Sequence, residues 1–84
     1  MRYTVVWVQA ALNELTQIWV DADDRQQVTD AANRIDRELA TDPDLKGYQD
    51  EMGVRILRFS PIEVAYMVLL DDRIVRVNYV QRAT

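Results

Sequence analysis

The sequence predicts an α+β protein: two antiparallel helices packed on one face of a largely antiparallel four-stranded sheet, in the order β-α-α-β-β-β. Three observations carry that prediction. A β-branched and aromatic run opens the chain, apolar residues then recur at helical spacing, and three strand-like apolar runs follow from residue 54. The length of 84 residues suits one domain, taken as 1–84, with a small core.

RYTVVWV, residues 2–8, places Tyr3, Val5 and Trp7 on one side of a strand. QAALNELTQIWVDA follows with Ala11, Leu12, Leu15, Ile18 and Trp19 in one helical stripe, and with Asn13, Glu14 and Gln17 facing outward. Trp7 and Trp19 are expected to anchor this helix on the sheet. The next stretch puts Val28, Ala31, Ala32, Ile35 and Leu39 on one stripe of a second helix. Asp23 or Asp24 supplies its N-cap, and Pro43 stops it because Asp42 is pushed out of helical geometry. The few residues between the helices predict an antiparallel pair. PDLKGYQDEMG has no periodicity and reads as a loop. Strands are predicted over 54–59, 62–70 and 73–80, with turns at Ser60-Pro61 and Asp71-Asp72.

Composition narrows the function classes. The chain has no cysteine, which excludes disulfides and thiolate metal sites and suits a reducing cytoplasm. It shows no secretory leader and no apolar run of membrane-spanning length, so a cytoplasmic protein without a membrane partner is expected. The net charge of −4 argues against a surface built to grip nucleic acid, although the balance is −6 over residues 1–53 and +2 over 54–84. No phosphate-binding glycine loop, metal-ligand spacing or hydrolase triad is present, and no cofactor is expected. Asp21, Asp23 and Asp24 read as helix capping, because the glycine and closing glutamate of a calcium loop are missing.

Folding the last hairpin about Asp71-Asp72 pairs Leu69 with Ile74, Val68 with Val75, Met67 with Arg76, Tyr66 with Val77 and Ala65 with Asn78. Val64, Tyr66, Val68, Val75, Val77 and Tyr79 then face the helices. Glu63, Ala65, Met67, Leu69, Ile74, Arg76 and Asn78 face the other way, where no element remains to cover them. A three-residue connection before this hairpin would set Arg55 beside Met67 and Arg76, whereas a two-residue connection would bring Arg58 to that face opposite Glu63. Either register leaves arginine and apolar groups bare, a surface suited to docking a peptide or protein. Arg55, Arg58, Met67, Arg76, Asn78 and Arg82 are therefore the candidate binding residues. The plainer reading of the arginines is cross-pairing with acids, as in a salt bridge from Glu63 to Arg58.

The pattern W…AL.EL..IW in the first helix, A...I...L..DP...G in the second, and R.L...P..V.Y.V..DDR.V.V..V.R in the terminal hairpin resembles the RelE/ParE superfamily. These are toxins of type II toxin–antitoxin (plasmid stabilisation) systems, and the resemblance runs from about Tyr3 to Arg82. It implies a toxin neutralised by a cognate antitoxin that lays a helix and an extended tail across it. In the RelE-type branch it implies ribosome-dependent mRNA cleavage, in which the substrate's own 2′-hydroxyl attacks and the protein needs no nucleophile. Arg55, Arg76 and Glu63 would be the catalytic residues in that case. In the ParE-type branch it implies a binding protein that poisons DNA gyrase. Glu63 stands where the nucleases carry arginine, Gln81 and Arg82 stand where a histidine or tyrosine proton donor is common, and Lys46 is the only lysine. These departures favour a ParE-like or otherwise retasked member. A homodimer joined through the bare sheet face is the remaining expectation.

Overall fold

The computed structural model describes residues 2–50 and 52–83. The chain runs through β1 (Thr4–Trp7), α1 (Gln9–Asp21), α2 (Arg25–Leu39), a 3₁₀ turn (Pro43–Leu45), β2 (Tyr48–Gln49), β3 (Arg55–Phe59), β4 (Ile62–Leu69) and β5 (Ile74–Arg82). The sheet has five strands in the order β1-β5-β4-β3-β2, and both helices lie on one face.

Two expectations about the sheet need correction. It has five strands, not four, and is mixed: β1 pairs with β5 in parallel, while the other three pairings are antiparallel, as expected of a largely antiparallel sheet. The extra strand, β2, lies inside the stretch read as a loop. Two residues are too short to display any alternation, and what makes them a strand is the neighbouring β3.

Burial follows the helical periodicity closely in α2 and only partly in α1. Val28, Ala31, Ile35 and Leu39 are buried along one side of α2. On α1 only Ala11 is fully buried, with Leu15 and Ile18 half-buried beside it. Leu12 and Trp19 stay exposed, so Trp19 is not the core anchor its stripe suggested. It stacks instead against the Arg25 guanidinium, 4.9 Å from the ring centre, and donates its Nε1–H to Thr29 Oγ1 at 3.2 Å. Arg25 also donates to the carbonyls of Trp19 and Val20 at the end of α1, where Trp19 accepts the Ala22 N–H as well.

Trp7 is half-buried against the core and donates to Asp36 Oδ1 of α2 at 3.0 Å, which ties β1 to the second helix. The sheet contributes Leu57, Ile62, Val64, Tyr66, Val75, Val77 and Val80 to the same core. Asp24 does stand at the N-cap of α2, but its side chain makes no capping bond there. The helix ends at Leu39, before Pro43, and the left-handed Asp42 leads into the 3₁₀ turn. Among the described residues no helix is long and apolar enough to cross a membrane.

Candidate functional site

The face of the sheet turned away from the helices is covered by no described element. Cross-strand pairing arranges its side chains in rows. One row runs Tyr48, Ile56, Ala65, Tyr79 across β2, β3, β4 and β5. The next runs Met67, Arg76, Val6 across β4, β5 and β1, and a third runs Arg58, Glu63, Gln81. Glu63 and Met67 lie four residues apart on β4, so the Arg58 and Arg76 rows are separated by about 14 Å. Between them runs the Tyr48, Ile56, Ala65, Tyr79 row, with Tyr79 41% exposed, while Met67 and Val6 flank Arg76 in its own row at 37% and 41% exposed.

The hairpin partners from Leu69–Ile74 to Tyr66–Val77 are as the alternation predicts. Met67 and Arg76 share a face, with an Arg76 Nη 3.9 Å from the Met67 sulfur. Beyond Val77 the register shifts. Ala65 pairs with Tyr79, not with Asn78, because Asn78 is the extra residue of a β-bulge. The bulge reverses the alternation for the rest of β5: Val80 enters the core, and Tyr79, expected among the helix-facing residues, turns to the bare face. Asn78 there is isolated within a strand-like run, with no glycine or proline beside it, so only the observed pairing reveals the bulge.

The connection between β3 and β4 contains two residues, Ser60 and Pro61, which selects the register with Arg58 on the bare face. Arg55, expected beside Met67 and Arg76, lies on the helix side opposite Tyr66. There its Nε donates to the Lys46 carbonyl at 2.9 Å, alongside the Tyr66 hydroxyl, whose one proton is shared between the carbonyls of Pro43 and Lys46, each 2.8 Å away. Arg55 thus holds the 43–47 segment and does not reach the bare face. Glu63 is opposite Arg58 in register, but the expected salt bridge does not form. Its carboxylate accepts from the Gln81 side-chain amide, leaving Arg58 and Arg76 with no acidic partner among the described residues.

Arg82 also departs from the bare face. It pairs in register with Ile62 on the helix side, and its Nη2 contacts Asp24 Oδ1 at 2.6 Å. The Arg82 guanidinium holds the Asp24 carboxyl below the usual carboxylate range. A depressed folded-state value contributes stability above the unfolded pKa near 4 and loses it as pH falls through the folded one. Replacing Arg82 by alanine is therefore expected to return the Asp24 titration to the ordinary range. An unchanged Asp24 midpoint in the variant, followed by carboxyl NMR, would contradict the pairing.

The only salt bridges among the described residues are this one and Lys46 to Glu38, at 3.0 Å. Lys46 Nζ also donates to the carbonyls of Glu38 and Thr41, closing the end of α2, and it depresses the Glu38 carboxyl. The lone lysine is therefore structural. Two arginines, two tyrosines, a methionine and small aliphatic groups remain on the bare face. Beside the Glu63–Gln81 pair, such a set can neutralise negative charge and pack apolar surface, and it holds no serine, cysteine or histidine.

No protein-family model matches the chain, and no curated protein matches it. Solved structures do. A chain of the toxin–antitoxin complex RelBE2 from Mycobacterium tuberculosis superposes with a TM-score of 0.77 at 15% identity, covering 98% of this chain and 92% of that one. A chain of the chromosomal ParDE toxin–antitoxin system of P. aeruginosa gives 0.74 at 15% identity, covering 99% and 98%. The E. coli toxin RelE in the free state, as an arginine mutant, gives 0.67 at 19% identity, covering 98% and 84%. These likenesses show that the chain has the fold of the RelE and ParE toxins.

Proposed function

We propose that this chain is the toxin of a type II toxin–antitoxin module, a ParE-like single-domain protein that acts by binding its target and is neutralised by a cognate antitoxin. The observation that carries this reading is the bare sheet face, where Arg58 and Arg76 lack acidic partners among the described residues and share the face with exposed Met67, Tyr79 and Val6. Burying guanidinium and aromatic groups at the centre of an interface is how protein partners gain most of their binding energy. The weakly acidic whole suits a protein target better than a phosphate backbone. The family resemblance makes DNA gyrase the target to test.

Expression of the chain alone is expected to arrest growth, and co-expression with the small neighbouring open reading frame to relieve the arrest and yield a tight complex. Arg76→Glu should abolish the arrest and any inhibition of gyrase supercoiling, with thermal stability nearly unchanged. Growth without arrest and no complex with either neighbouring product would overturn the proposal.

One observation favours a second reading, that of a ribosome-dependent endoribonuclease. The bulge at Asn78 sets the Tyr79 hydroxyl on the same face as Arg58 and Arg76, a phenol able to move a proton beside two cations. On this reading Arg55 has no catalytic part, and the Glu63 carboxylate is already engaged by Gln81. Mapping mRNA cleavage in a translating extract separates the readings: cleavage that disappears in an Arg58→Ala, Arg76→Ala double variant would establish the enzyme.

A further inference from the structure

Glu63 stands in the middle of the row Arg58, Glu63, Gln81, with a guanidinium on one side and an amide on the other. Directly opposed side chains on one face of an antiparallel pair start about 5 Å apart at Cβ, so both neighbours lie within its reach. The opposite charge is on β3. The carboxylate nevertheless turns the other way, towards β5, and accepts the side-chain N–H of Gln81. Arg58 is left without an acidic partner among the described residues. Relative strengths account for the choice. Arg58 is exposed, and an exposed ion pair gains little once water screens it and two long side chains are ordered. A hydrogen bond to a charged group is among the stronger ones, so the amide can hold the carboxylate against the guanidinium. The balance is narrow enough for loss of the amide to send Glu63 to Arg58.

We infer that Gln81 is a positioning residue of the bare face: it holds the Glu63 carboxylate off the Arg58 guanidinium and keeps that cation open for a carboxylate of a protein partner. That use of Arg58 rests on the proposed function. The partner's group is anionic because the charges on this face besides Glu63 are the guanidiniums of Arg58 and Arg76, neither of them paired with an acid among the described residues. It is a carboxylate and not a run of phosphates because Glu63 keeps its charge one strand away and the whole chain carries −4. Seated on Arg58, Glu63 would occupy the cation and repel the incoming acid; held by Gln81, it does neither.

The first test reads folding alone. Arg58→Ala, Glu63→Ala and the two together, made in the parent and in Gln81→Ala, give two double-mutant cycles followed by urea unfolding of the full chain. The substitutions are expected to be additive in the parent. Once Gln81 is gone they should couple by about threefold in the unfolding constant, the size of an exposed ion pair. Gln81→Lys, which keeps a donor facing Glu63, should leave them additive. Coupling already present in the parent, or none in Gln81→Ala, overturns the inference. The second test reads the partner. Gln81→Ala should need about fivefold more protein for half-inhibition of gyrase supercoiling, and adding Glu63→Ala should restore the parental value. A loss that Glu63→Ala does not restore would mean that Gln81 itself touches the target, and would overturn the positioning role. If the coupling appears as expected but the parent neither inhibits gyrase nor arrests growth, the proposed function falls and the hold of Gln81 on Glu63 stands.

Discussion

Replacing Gly47 by alanine is expected to destabilise the fold by about 3 kcal/mol, lowering Tm by about 15 °C. Gly47 has φ +63°, and a Cβ built there would lie 2.0 Å from the Ile56 carbonyl oxygen and 2.8 Å from its carbon. Both obstacles are backbone, held by the pairing of β2 with β3, so no side chain can swing aside. The clash comes on top of the roughly 1–2 kcal/mol that a left-handed conformation costs a residue with a Cβ. Gly53 separates the two contributions. Its φ is +84°, but the nearest atom to its Cβ would be the end of the Gln49 side chain, at 3.5 Å. Gly53→Ala should therefore cost only the conformational part, and thermal unfolding of the two variants compares them directly. Equal losses would mean that the close approach at Ile56 contributes nothing.

Tyr66 should show the second large effect. It is fully buried, and its hydroxyl joins the carbonyls of Pro43 and Lys46, so one ring closes the end of the core and pins the segment that leads into β2. Tyr66→Ala is expected to cost about 4 kcal/mol through the lost ring and the cavity. Tyr66→Phe keeps the ring and should cost about 1–2 kcal/mol, because the two carbonyls lose a partner. Burial pushes the Tyr66 phenol above its ordinary value, and the Arg55 guanidinium only partly opposes this. A raised folded-state pKa means stability that is complete below the unfolded value near 10 and is lost as pH rises through the folded one. Denaturant titrations from pH 9 upward should thus show the parent weakening with alkali, and Tyr66→Phe weakening less. Parallel decline in the two proteins would exclude Tyr66 as the alkaline titrating group.

Much of this architecture is legible in the chain. The stripe of Val28, Ala31, Ile35 and Leu39 identifies the buried side of α2 correctly, because helical periodicity is a local property of the backbone. Alternation about Asp71-Asp72 identifies the partners from Leu69–Ile74 to Tyr66–Val77 for the same reason. The likeness to RelE and ParE folds, stated from motifs spread along the chain, agrees with the solved structures that superpose on it.

The candidate site was less legible. Arg55 and Arg58 differ in face by parity alone, and parity rests on whether the turn at Ser60-Pro61 holds two residues or three. Tyr79 and Val80 exchanged faces through one bulged residue. Arg82 read as a binding residue and Glu14 as an outward-facing charge, yet Arg82 meets an aspartate 58 positions earlier and Glu14 an amide 66 positions later. Such contacts leave no periodic trace.

Read alone, the 84 residues determined which segments are helix or strand, which sides of them are apolar, and that the last hairpin would present an uncovered face with arginine on it. Only the tertiary structure decided that β1 lies parallel beside β5, that Arg58 joins Arg76 on that face while Arg55 and Arg82 brace the other side, and that Glu14 accepts the Val80 amide of β5. The physical reason is one of range. Side-chain periodicity is imposed by each residue's immediate backbone, whereas strand neighbours, bulges and charge partners are chosen by segments that meet only after the chain has folded back on itself.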